Sequence, residues 1–186
     1  MKSYLKTALI ATFASLTISQ TASAGLLIEP YLGYLSGQQK QSSSSKYTGT
    51  EFGARIGYTT MLGLALGAEY AGTSTSDDNS PKNDQTSGDI GIFVAYKFPV
   101  LFRVFGTYIP SPELKNTSSG LTTTLKSGNV MKLGVGYTGL PFININFEYI
   151  SASYSKVEAF GASADLSPSI STTGYAISIG APFNLF

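Results

Sequence analysis

Residues Glu51–Tyr70 read EFGARIGYTTMLGLALGAEY, and their alternation decides the fold. Phe52, Ala54, Ile56 and Tyr58 take one parity, against Glu51, Gly53, Arg55 and Gly57. After a tight turn at Thr59 to Met61 the scheme resumes. Leu62, Leu64, Leu66, Ala68 and Tyr70 then oppose Gly63, Ala65, Gly67 and Glu69. A period of two marks a β-strand with two unlike faces. One face is oily, and the other carries every charge of the stretch.

Working outward, the same pattern defines six more segments. The first covers about 26–36, with Ile28, Leu32 and Tyr34 against Glu29, Tyr31 and Gly33. The fourth covers about 87–98, with Ile90, Ile92, Val94, Tyr96 and Phe98 against Asp89, Gly91, Phe93, Ala95 and Lys97. The fifth, about 101–109, sets Phe102, Val104 and Tyr108 against Arg103, Phe105 and Thr107. The sixth, about 126–138, sets Met131, Leu133, Val135 and Tyr137 against Lys132, Gly134 and Gly136. The seventh, about 142–154, sets Ile143, Ile145, Phe147 and Tyr149 against Asn144, Asn146 and Glu148. The eighth, about 172–183, sets Tyr175, Ile177, Ile179, Ala181 and Phe183 against Gly174, Ala176, Ser178 and Gly180.

The apolar faces of these segments contain no Asp, Glu, Lys or Arg. The opposite faces hold Glu29, Glu51, Arg55, Glu69, Asp89, Lys97, Arg103, Lys132 and Glu148. In a membrane-spanning barrel a charge turned to hydrocarbon costs a few kcal/mol at mid-depth, so lipid outside enforces this segregation. Charged residues are 12% of the chain, about half the usual share of a soluble domain. No window after the N-terminal segment holds an apolar run long enough for a membrane helix. The predicted fold is all-β: an eight-stranded antiparallel up-and-down transmembrane β-barrel over residues 25–186. A soluble ligand carrier of eight strands would turn its apolar face inward. This chain would then expose a glycine- and alanine-rich surface with few charges, which is poorly soluble.

Residues 1–24 read as a signal peptide. Lys2 and Lys6 give a positive start, Ala8 to Ile18 is a short apolar stretch, and Ala22-Ser23-Ala24 offers a cleavage site. Without Lys2 and Lys6, the 12 basic and 11 acidic residues come to a charge of about −1, which gives nucleic acid nothing to bind. There is no cysteine and no histidine, so no thiolate or imidazole metal site is expected, and no cofactor.

The tyrosines add depth. Tyr34, Tyr70, Tyr108 and Tyr149 fall near the outer ends of outgoing strands, and Tyr175 opens the eighth strand there. Tyr58, Tyr96 and Tyr137 fall near the inner ends of returning strands. Two aromatic girdles at the two interfaces are the expectation. Short turns at Thr59 to Met61, Pro99 to Val100 and Thr138 to Pro141 alternate with polar stretches at 37–47, 74–86, 110–125 and 155–171. These four stretches are expected to be outer loops, with both termini in the periplasm.

On these residues the chain resembles the small outer-membrane barrels of Gram-negative bacteria, of the OmpA transmembrane-domain and OmpX type. The likeness is carried by Tyr31-Leu32-Gly33-Tyr34, by Phe52-Gly53-Ala54-Arg55-Ile56-Gly57-Tyr58 and by Gly67-Ala68-Glu69-Tyr70. Gly134-Val135-Gly136-Tyr137 and Phe147-Glu148-Tyr149 extend it. The resemblance implies that Phe186 is the assembly signal read by the barrel-assembly machinery. Pro182 cannot donate to a sheet ladder, and Phe183 and Phe186 differ in parity, so a bulge or a departure from the sheet is expected there.

An eight-stranded barrel is just wide enough to be filled by its inner side chains. The nine inward charges are therefore expected to pair with one another, as a structural plug rather than a gated path. Known acyltransferases, deacylases and proteases on such barrels use a histidine base, which this chain lacks; a carboxylate base paired with a serine stays open, but no spacing suggests it. The expected role is structural or in surface interaction through the outer loops, a narrow pore for ions or small solutes being the alternative and an outer-membrane enzyme the third reading. Lipopolysaccharide phosphates, facing Lys40, Lys46, Lys115 and Lys126, and an extracellular partner, facing the Ser tract 42–45 and Asp77-Asp78, are the expected contacts.

Overall fold

The computed structural model describes residues 24–41, 43–78, 83–118 and 121–185. Residues 1–23, nearly all of the expected signal peptide, and Phe186, the expected assembly signal, lie outside the described residues. The strands are β1 (Gly25–Lys40), β2 (Ser44–Thr59), β3 (Leu64–Asp77), β4 (Asp84–Lys97) and β5 (Phe102–Pro110). They continue as β6 (Leu114–Ser118), β7 (Leu121–Leu140), β8 (Ile143–Ala159), β9 (Ala162–Gly180) and β10 (Phe183–Leu185). No helix of the described residues is long and apolar enough to cross a membrane.

Every neighbouring pair is antiparallel, and the order β1-β2-β3-β4-β5-β7-β8-β9 closes on itself. Closure is made by β9 on β1, from Tyr31 opposite Gly180 to Lys40 opposite Ser171. Eight strands thus form a ring with no lateral edge through the membrane-spanning part, which satisfies backbone groups that lipid cannot. The short β6 lies between β4 and β7 above β5.

Alternation fixes which way each strand faces. Ile56 is 52% exposed while its neighbour Arg55 is 0% exposed. Leu32, Leu66, Ile92, Leu133 and Ile177 are exposed in the same outward row. In water such a belt would be an aggregation surface; in a bilayer it is the matching solvent.

The turns at one end are tight. Gly63 adopts φ +83 in the β2–β3 turn, donating to the Thr60 carbonyl at 3.0 Å, and a Cβ there would collide with the Lys97 carbonyl. At this end Pro182 interrupts the last strand as expected. β9 stops at Gly180, and β10 resumes on the same β1 edge with Phe183 opposite Ile28. The Ala181 N–H donates to Pro30 across the break at 2.9 Å.

The opposite end corrects the sequence reading. The expected outer loops are mostly strand. β7, β8 and β9 run 20, 17 and 19 residues, where a barrel strand needs about 9–11 to cross lipid. Among the described residues, only 41, 43, 78, 83, 111–113 and 160–161 lie between strands on this side. Phe160 (φ 52) and Gly161 (φ 78) form a two-residue turn with both residues left-handed, the geometry that matches strand twist. Consequently Tyr175 does not open a strand: β9 begins at Ala162. Asp77 is also no free loop acid, being buried and accepting from Asn83 N and Nδ2 at 3.0 and 2.8 Å.

The outer hairpins carry their own polar ties. Lys126 of β7 meets Glu158 of β8 at 2.9 Å and Glu113 at 3.4 Å. Hydrogen bonds to Glu158 and then Glu113 hold its ammonium above the ordinary lysine range.

Candidate functional site: the ionic lumen

The lumen is stacked in layers. Nearest the short turns, Leu27, Ala65, Phe93, Ala95 and Phe105 pack together. Toward the hairpins lies a second apolar layer, including Ala71, Ile109, Leu114, Val130 and Tyr154. Between them sits a charged cluster.

Strand register sets its first row. Glu29 faces Arg55 across β1–β2, and Arg55 faces Glu69 across β2–β3. Arg55 Nε donates to Glu69 Oε2 at 2.8 Å, and Nη1 lies 3.6 Å from Glu29 Oε1. Nη2 reaches across the barrel to Glu148 Oε1 of β8 at 3.1 Å. Arg103 of β5 grips both oxygens of Glu29 and donates to Asn146 Oδ1 at 2.9 Å. Lys132 of β7 bonds Glu51 of β2 and, at 2.9 Å, Glu69 Oε1. These seven ionisable side chains are all buried.

Neutral groups complete the wiring. Tyr31 donates to Glu69 Oε1 at 2.7 Å and Thr107 to Glu69 Oε2 at 2.6 Å. Asn146 Nδ2 donates to Ser178 Oγ at 3.1 Å, and Ser178 donates to Glu148 Oε1 at 3.2 Å. The Arg55 guanidinium also lies over the Tyr31 and Phe105 rings, 4.5 and 4.4 Å from their centroids. Phe93 of β4, 5.7 Å away, brings in the remaining strand. All eight barrel strands therefore contribute to one cluster.

Two glycines make room for the rings. A Cβ on Gly53 would lie 2.6 Å from Tyr31 Cζ, and one on Gly134 would overlap the Phe105 ring. At the level of Arg55 the side chains are close-packed: Glu29, Glu51, Arg55, Glu69, Phe93 and Glu148 are all 0% exposed.

Of the nine inward charges read from sequence, Asp89 and Lys97 sit away from this cluster. Asp89 is half-buried toward the hairpins and accepts the Glu113 backbone N–H at 2.9 Å. Lys97 is half-buried at the short-turn end, opposite Arg103 in the β4–β5 register. Their parity points inward, but their depth along the strand differs. Tyr31, Thr107, Asn146 and Ser178 were missed as members. Each carries the inward parity of its strand, which was the available signal.

The eight girdle tyrosines all face outward. Tyr149 lies against Tyr175, centroids 5.6 Å apart, and Tyr137 against Phe102 at 5.6 Å. Tyr96 meets Phe98 edge-on at 4.9 Å, and Phe52 meets Tyr70 at 6.4 Å. Strands continue past the outer tyrosines: β1 runs six residues beyond Tyr34 to Lys40. No group of His, Cys, Asp or Glu suited to a metal occurs among the described residues.

A closed eight-stranded ring, oily outside and ionic within, defines the class: a small outer-membrane β-barrel. Solved structures of that class are similar. Neisserial surface protein A matches with a TM-score of 0.59 at 15% identity, covering 87% of this chain and 99% of its own. Ail, the attachment invasion locus protein of Yersinia pestis, matches with a TM-score of 0.57 at 12% identity, covering 87% and 100%. No protein-family model and no curated protein sequence matches the chain.

Proposed function

We propose that this barrel is a surface-interaction protein of the bacterial outer membrane that works through its strand-built outer hairpins while its lumen stays sealed. The carrying observation is the closed ionic layer at Arg55, with strands β7 to β9 extending well past the tyrosine ring. A conducting lumen needs a continuous aqueous path, and buried side chains with mutual ion pairs leave none at this level. Rigid hairpins offer a partner a surface whose ordering cost is already met by strand pairing.

In this reading the hairpin lysines Lys40, Lys46 and Lys115 meet lipopolysaccharide phosphates. Lys126 is already engaged by Glu158 and Glu113. A C-terminal aromatic at Phe186 serves recognition by the barrel-assembly machinery. In this reading the role is non-enzymatic, the histidine base of known outer-membrane acyltransferases, deacylases and proteases being absent from the sequence.

The test pairs conductance with binding. Purified barrel in planar bilayers gives no steady unitary current. Cells displaying it acquire a surface-binding phenotype that disappears when residues 110–125 or 155–171 are trimmed. A steady current that changes on Arg55→Ala, with no loss of phenotype on trimming, reverses the reading in favour of a narrow pore.

A further inference from the structure

At the short-turn end the lumen holds a cavity of about 330 Å³, the size of a compact small-molecule site. Leu27, Ala65, Phe93 and Ala95 of the lower apolar layer form its inner wall. Pro141, Phe142 and Pro182 border it from the β7–β8 turn and the break before β10.

Its charges are of one sign. Lys97 and Arg103 both line it, and among the described residues no Asp or Glu does. The two cations stand opposite each other in the β4–β5 register, where like charges repel. Glu29 holds Arg103 but also lies 3.6 Å from Arg55, so one carboxylate serves two guanidiniums. Proton loss does not relieve the pair. A guanidinium keeps its charge, and Lys97 is half-buried, within reach of water, where an ammonium holds its proton. Thr59, Thr138, Asn144 and Asn184 add neutral hydrogen-bonding groups to the lining from four further strands.

We infer that this pocket binds a small organic anion, an oxyanion group on a compact apolar body, entering at the short-turn end. The oxyanion sits at Lys97, whose ammonium carries three donors and can hold it beside another contact. Asn144 supplies a neutral donor. The body lies against Leu27, Ala65 and Ala95. Inorganic phosphate answers the charges but leaves that wall wet. A neutral ring fits the wall but leaves the cations facing each other, and a cation adds to their repulsion.

Benzoate and phenyl phosphate are the anionic probes, benzamide the neutral counterpart and benzylammonium the cationic one. Each is titrated into the full barrel refolded in uncharged octyl glucoside micelles and followed by NMR at the Ala65 and Ala95 methyls. At least one anion gives saturable shifts there, and its relative affinity tells carboxylate from phosphate. Benzamide and benzylammonium bind at least about tenfold more weakly, the loss expected for one hydrogen bond to a charged group. Lys97→Glu sets a carboxylate opposite Arg103, keeps the barrel folded and abolishes anion binding. Should that variant fail to fold, the comparison of charged with neutral probes on the unaltered barrel still decides. Benzamide binding as tightly as both anions, anion shifts that persist in Lys97→Glu, or no saturable shift with either anion overturns the inference.

Discussion

Arg55 and Glu148 lie 93 positions apart in the chain and meet across the lumen, Nη2 to Oε1, at 3.1 Å. The contact joins β2 to β8, strands that share no hydrogen-bonded ladder. It cross-braces the ring at the level where the charges concentrate.

Removing one partner of such a buried cluster strands the others. Arg55→Met leaves Glu148 without its cation and Glu69 with Lys132 alone, and is predicted to destabilise the barrel by about 3–5 kcal/mol. Urea titration in vesicles, read by the gel shift between folded and unfolded forms, measures this. The double variant Arg55→Met with Glu148→Gln is predicted to lose less than the sum of the two singles. Strict additivity would mean that the pair is not coupled.

The outer face is predicted to reject charge by depth. Ile56 lies between the two tyrosine rings, and Ile56→Arg is expected to cost about 2–4 kcal/mol in a vesicle unfolding titration. Ser163→Arg, on the exposed hairpin above, is expected to shift stability by under about 0.5 kcal/mol. Equal costs at the two sites would contradict the placement of the membrane.

Gly134 is the seat of the Phe105 ring. Gly134→Val overpacks the lumen and tilts the ring off Arg55, with a predicted loss of about 1–3 kcal/mol. Unfolding midpoints of Gly134→Val and Gly134→Ala, compared, show the loss growing with side-chain volume. An unchanged midpoint for valine would show that the ring has room to move.

Exposed ion pairs are predicted to matter little. Lys156 and Asp165 approach at 3.9 Å on the outer hairpin with both side chains exposed. Lys156→Ala is expected to change stability by no more than about 0.5 kcal/mol, while leaving the β8–β9 hairpin formed. Amide exchange across residues 156–165 checks the second point.

What the sequence revealed and what it hid follow the same physics. Within the bilayer the two faces of a strand meet opposite solvents, so Phe52 to Tyr58 alternate cleanly and their direction was legible. Above the bilayer both faces of a hairpin meet water. Thr122 to Thr124 and Ser167 to Ser169 then show no alternation, and a polar strand without alternation has the composition of a loop. Parity placed Asp89 and Lys97 inward but gave no depth. Strand stagger decides depth, and it brings Arg55 to Glu148 while setting Asp89 beside Glu113. Tyr31 shows the cost of reading residue type before parity. It shares the inward row with Glu29, and its hydroxyl donates to Glu69 Oε1 at 2.7 Å.

The direction in which alternate side chains point is most directly tested by spin labels. The chain has no cysteine, so single substitutions give clean attachment sites. Labels at Phe52→Cys, Ala54→Cys, Ile56→Cys and Tyr58→Cys in vesicles are predicted to be relaxed strongly by oxygen and weakly by a water-soluble nickel chelate. Labels at Ala65→Cys and Ala95→Cys, inward positions that line the lower lumen, are predicted to be shielded from oxygen. The same period of two with the phase reversed, or no period at all, would contradict the account.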